Sequence, residues 1–82
     1  MKDKLARIQL ELPQEKVDKL ETLMKESGIK TKKELLNNAL TFLEWAINER
    51  REGKIIASVD EQEKTLKELI MPVFASVKTG DR

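Results

Sequence analysis

The chain contains no cysteine and no histidine. The first absence removes disulfides, and the two together remove the ordinary zinc and haem ligand sets. They also remove the usual nucleophile and general-base arrangements. There is no Gly-rich phosphate loop, and the acidic residues are spaced as helix-surface charges with no convergent pair, so the expectation is a non-enzyme with no catalytic residue, no metal and no cofactor. Only three Gly and two Pro occur, and charged residues make up 38% against 39% hydrophobic, which points to an ordered, helix-rich chain. Long apolar runs are also missing. The longest uncharged one, Leu69 to Val77, falls far short of the roughly 20 residues of a membrane span. The N-terminus places charges where a signal peptide would carry its apolar segment, so the expected location is cytoplasmic, without membrane contact.

What is present is small: 82 residues and 9.5 kDa. At that mass a compact monomer exposes roughly 5,000 Å² of the roughly 14,000 Å² of its unfolded chain, a thin margin of about 63% buried. With disulfides and metals set aside, association with a second copy is the remaining supplement. The net charge is +1, but residues 1–33 hold nine Lys or Arg against six Asp or Glu, and residues 34–82 hold seven against nine. The positive end comes first.

From Leu5 the sequence reads LARIQLELP, with Ile8, Leu10 and Leu12 alternating with Arg7, Gln9 and Glu11, the period of a strand with one buried face. Pro13 stops it. A lone terminal strand satisfies neither its backbone groups nor its apolar face, and its simplest partner is the same strand of a second copy. Pro13 then suits the first turn of a helix over QEKVDKLETLMKES, with Leu12 as N-cap, a stripe of Val17, Leu20, Leu23 and Met24, and Gly28 as C-cap. Thr31 with Glu34 three residues later is a capping box, followed by a helix to about Arg51 and a stop at Gly53. Leu35, Leu36, Ala39, Leu40, Phe42, Leu43, Ala46 and Ile47 cover more than half of its circumference, with Trp45 near the margin. So wide a face fits packing against both a neighbour in the same chain and a counterpart in a second chain.

KIIASV, residues 54–59, has strand composition, and DEQEKT, residues 60–65, suits a connection. LKELIMPVF reads either as a return strand ending at Pro72 or as a short helix starting from Asp60. The β-formers Ile55, Ile56, Val59, Ile70, Val73 and Phe74 favour the hairpin, with Pro72 then at an edge. The expected organisation is a dimerisation and DNA-binding domain over residues 1–53, a hairpin-containing extension over 54–75 and a flexible tail over 76–82.

Strand, Pro, helix, Gly, capped helix is an order that resembles the ribbon-helix-helix family of DNA-binding proteins, of MetJ, Arc and CopG type. The resemblance is carried by RIQLELP at 7–13, VDKLETLMKESG at 17–28 and GIKTKKELLNNAL at 28–40. It spans about residues 5–52; the segment from GKIIASVDE onward is an extension, of a kind that related bacterial proteins resemble. The resemblance implies a mostly α fold, an intertwined homodimer with an intermolecular antiparallel β-ribbon, to which the extension adds β structure. It implies base contacts in the major groove from Arg7, Gln9 and Glu11, and phosphate contacts from Thr31, Lys32 and Lys33, with Lys30 beside them. The dimer core it implies is Ile8, Leu10, Leu12, Leu35, Ala39, Phe42, Leu43 and Ala46. Physical chemistry agrees, since Arg pairs with guanine, Gln with adenine, and a helix N-terminus offers amides to phosphate.

Blander accounts stand beside these. If the strands pair around Gln9, Arg7 lies opposite Glu11 of the other chain, and the two form an ion pair that sets register without touching bases. Lys30, Lys32 and Lys33 can be a solvated helix start, and Lys2 and Lys4 a polar terminus. Phe42, Trp45 and Phe74 sit in apolar periodicity and read as packing residues. Arg50, Arg51 and Glu52 read as a solvated helix end. The expected function is a dimeric DNA-binding repressor, self-associating further on double-stranded DNA as a dimer of dimers. The alternatives are an antitoxin whose residues 54–74 fold on a toxin or other protein, and a dimeric interaction module that does not bind DNA.

Overall fold

A computed structural model of the chain describes residues 4–78. The expectations for Lys2, and for the tail from residue 79 onward, lie outside the described residues. Among the described residues the fold is mostly α, with three helices and a small antiparallel hairpin: α1 (Gln14–Ser27), α2 (Lys32–Arg51), β1 (Ala57–Asp60), β2 (Thr65–Glu68) and α3 (Pro72–Ala75). The chain divides into two units, 1–35 and 36–82, with the boundary inside α2.

In the first unit, residues 4–13 form no helix or strand within the single chain. α1 begins one residue later than a proline-started helix would. Pro13, not Leu12, is its N-cap, with φ −54° and ψ 148°. The Pro13 carbonyl accepts the amides of Lys16 at 2.9 Å and Val17 at 3.1 Å, so the ring closes the segment outside the helix. No side chain caps this end; Glu15 in the first turn and Lys25 in the last match the helix dipole. Gly28 ends α1 as expected, at φ 77°, a left-handed conformation that a Cβ would strain. The following amide, Ile29, donates back to the Met24 carbonyl at 3.0 Å. Val17, Leu20, Met24, Ile29 and Leu35 are half-buried, and no residue of α1 is buried.

In the second unit, α2 finishes with the same closure. Gly53 is left-handed at φ 85°, and the Lys54 amide donates to the Glu49 carbonyl at 3.1 Å. Lys54 ties this end further. Its ammonium lies 3.0 Å from Glu52 and 3.4 Å from Glu49, and its carbonyl accepts from Arg50 Nη1 at 3.0 Å. The helix end is therefore braced, where the sequence suggested only solvated charge.

The hairpin is present, but shifted and shorter. β1 starts at Ala57 in place of Lys54, and β2 ends at Glu68 instead of running to Pro72. The register pairs Ala57 with Glu68, Ser58 with Lys67, Val59 with Leu66 and Asp60 with Thr65. Asp60 Oδ1 organises the four-residue turn by accepting the amides of Gln62 and Glu63, both at 3.1 Å. Lys64 completes the turn in a left-handed conformation, φ 57°. Pro72 is not at a strand edge. It opens α3, because it has no amide to give a ladder and its fixed φ suits a first helical turn.

Ala46 of α2, Ile56 before β1 and Phe74 of α3 are the buried core, with half-buried Leu43 packed against it. Of the six β-formers of the extension, Ile56 and Phe74 are buried with Ala46. Ile55, Val59, Ile70 and Val73 remain exposed.

Candidate nucleic-acid interface

Alternation in residues 7–12 places two chemistries side by side. Arg7, Gln9 and Glu11 are exposed, and so are their apolar neighbours: Ile8 is 72% and Leu10 74% accessible, with Leu12 less so. An apolar side chain of this size gains about 1.5–3 kcal/mol from burial, a contribution that Ile8 and Leu10 do not make in the single chain.

The start of α2 is organised by its own side chains. The Glu34 amide donates to Thr31 Oγ1 at 3.0 Å, as the capping box requires. The Glu34 carboxylate reaches beyond Thr31 and accepts the Lys30 amide at 3.1 Å. The Leu35 amide takes the Thr31 carbonyl at 3.0 Å. That leaves the amides of Lys32 and Lys33, the first two helical residues, without an intrahelical acceptor. The sequence identified Glu34 as half of the box, but not that its carboxylate occupies the Lys30 side of this helix end. An anion there has two amides and two lysine side chains on offer, and one carboxylate to avoid.

The residues assigned to a dimer core behave differently from one another. Leu35 and Leu43 are half-buried, and Ala39 and Phe42 are exposed. Ala46 is fully buried, in a cluster with Ile56 and Phe74 of the same chain. The wide apolar face of α2 is thus partly consumed by the extension. Phe42 and Trp45 stack obliquely, with ring centroids 5.9 Å apart, and with Asn37, Asn38 and Thr41 they line an open groove of about 540 Å³.

Among the described residues no group of three or more carboxylates converges as a metal site, and no helix is long and apolar enough to cross a membrane. No protein-family model, curated protein or solved structure matches this chain.

Proposed function

We propose that the chain is a sequence-specific binder of double-stranded DNA that acts as a homodimer of ribbon-helix-helix type and represses transcription by occupying an operator over a promoter. The observation that carries this reading is the exposed alternation of residues 7–12, in which Ile8, Leu10 and Leu12 lack cover while Arg7, Gln9 and Glu11 share the same short segment. Two such segments paired antiparallel satisfy each other's backbone groups, turn the apolar residues toward the helices and turn the polar ones outward. A two-stranded ribbon of this kind fits the major groove.

In this mechanism Arg7 and Gln9 of both copies contact base edges, and Glu11 opposes Arg7 across the ribbon. The amides and side chains of Lys32 and Lys33 hold phosphates on the side of the helix start away from the Glu34 carboxylate, with Lys30 and Thr31 flanking them. The hairpin after residue 53 is formed within the chain itself, which favours a resident structural role over a segment that waits for a toxin to fold it.

Selection of bound sequences from a random duplex library, with sedimentation of the untagged protein, tests the reading. The expected results are a two-fold related enriched sequence and a species of roughly 19 kDa, twice the chain mass. Arg7→Ala should cost about 1–3 kcal/mol per lost bidentate contact and blur discrimination, while Lys32→Ala and Lys33→Ala should weaken cognate and unrelated duplexes alike. A folded dimer that enriches no sequence and binds duplex no better than a neutral control protein overturns the repressor reading and leaves an interaction module.

A further inference from the structure

The hairpin has an edge and a face that nothing else among the described residues uses. β1 pairs with β2 alone. The Leu69 amide donates to the Ile56 carbonyl at 2.7 Å, so in this register the pairs Ile56–Leu69, Ser58–Lys67 and Asp60–Thr65 exchange the ladder hydrogen bonds. The intervening residues, Ala57 and Val59, therefore aim their amides and carbonyls away from β2. The two edges differ in protection. β2 carries Lys67 and Glu68, charges of the kind that discourage edge pairing, whereas Ile55–Val59 reads IIASV, with no charge and no proline. On the face shared by Ala57 and Val59, Glu68 lies opposite Ala57, and the large side chains on either side of that pair are apolar and open: Val59 is 64%, Leu66 59% and Ile70 81% accessible, with Ile55 also exposed.

We propose that β1 pairs antiparallel with β1 of a second copy of this chain about a two-fold axis at Ala57, forming a four-stranded sheet ordered β2–β1–β1–β2. This contact is separate from the N-terminal ribbon and does not depend on it. Three features select the second copy as occupant and this axis as register.

The first is backbone parity. Ala57 meets its own counterpart, and Ile55 meets Val59 of the second copy, through the residues whose amides and carbonyls already face outward. The second is the apolar face. Leu66 lies opposite Val59 within the hairpin, and the same register continued places Ile55 opposite Ile70. Joining two hairpins at Ala57 then lines up a row running Leu66, Val59, Ile55 and Ile70 across four strands, and its symmetry mate beside it. Every exposed large apolar residue of this face enters one of the two rows. The third is charge. The axis sets Lys54 opposite Asp60 of the second copy at both ends of the ladder, while moving it one residue either way removes that apposition. The Lys54 side chain is 56% exposed beyond its contacts to Glu49 and Glu52, and Asp60 uses Oδ1 for its turn.

Because the chain has no cysteine, a single one can report this geometry without background. Counterparts in a hydrogen-bonded antiparallel pair lie about 5.5 Å apart between Cα atoms, within the 4.4–6.8 Å range of disulfides. Full-length Ala57→Cys under mild oxidation should form a covalent dimer roughly tenfold or more faster than Gln62→Cys at the turn. Ala57→Cys should retain that advantage when Leu10→Glu is added to break the ribbon. Sedimentation of the cysteine-free protein should climb from roughly 19 kDa toward roughly 38 kDa with concentration, and Val59→Lys should hold it at roughly 19 kDa. Equal slow cross-linking of both cysteine variants, or a mass unaffected by Val59→Lys, overturns the pairing. Failure of the ribbon reads out elsewhere, as a mass that Leu10→Glu leaves unchanged.

Discussion

Thr31 and Glu34 cap α2 across different residues: Thr31 Oγ1 accepts the Glu34 amide at 3.0 Å, while the Glu34 carboxylate accepts the amide of Lys30 rather than that of Thr31, at 3.1 Å. The hydroxyl therefore serves the helix and the carboxylate ties down the connection arriving from Gly28. Thr31→Ala should lower stability by about 1 kcal/mol, within the 0.5–2 kcal/mol usual for lost caps, and Thr31→Asp should restore most of it. Urea unfolding of the three proteins at one protein concentration measures the difference.

Phe74 carries more of the second unit than its position near the end of the described chain suggests. It is one of only three buried residues among those described, and it closes over Ala46 and Ile56. Phe74→Ala should cost about 3–5 kcal/mol, the range for an emptied aromatic site. Lys67→Ala, at an exposed strand position, should stay within about 0.5 kcal/mol. Hydrogen exchange of the Ser58 and Lys67 amides should accelerate in the first variant and not in the second.

Lys54 has a proton affinity raised above the ordinary lysine value of 10.5, first by its hydrogen bond to Glu52 and then by Glu49. A group whose folded pKa is raised contributes stability fully below its unfolded pKa, and that contribution disappears as pH rises through the folded value. The contribution should thus be intact at neutral pH and vanish only above 10.5. The Cε shift of Lys54 should titrate with a midpoint above 10.5, and Glu52→Gln should bring the midpoint back toward that value. Because the ammonium is solvent-exposed, added salt should do the same.

Local signals explain most of what was legible in the sequence. Gly28, Gly53 and the Thr31–Glu34 box fixed the helix ends because each acts within four residues of itself, and the hairpin followed from β-branched composition around a polar turn. The error at Pro72 was one of competition: LKELIMPVF carries strand-forming residues, but the missing proline amide and the burial of Phe74 against Ala46 favour a helical turn after Met71. The burial of Ala46 with Ile56 and Phe74 is non-local in the same way. A wide apolar face on α2 states that it will be covered, and only the folded extension states by what. The alternation of Arg7 through Leu12 was equally plain, yet residues 4–13 form neither helix nor strand within the single chain.

Glu11 decides how the ribbon would read DNA. It is exposed in the single chain, as is Arg7, and antiparallel pairing around Gln9 brings Arg7 of one copy opposite Glu11 of the other. A carboxylate there faces phosphate repulsion unless the guanidinium neutralises it or cytosine N4 donates to it. The cross-strand pairing requires only the dimer and supplies the neutralising charge whether DNA is present or not, so it sets the expected outcome. Glu11→Ala should raise affinity for an unrelated duplex, on the order of tenfold at low salt, since each dimer loses two repulsive charges. Preference at every operator position should persist, with Arg7 still free to meet guanine. Competition binding against operators varied one base pair at a time distinguishes the outcomes. Loss of preference for a C·G pair at one position in each half-site would show that Glu11 reads the base, and Arg7 would then owe its register to backbone pairing alone.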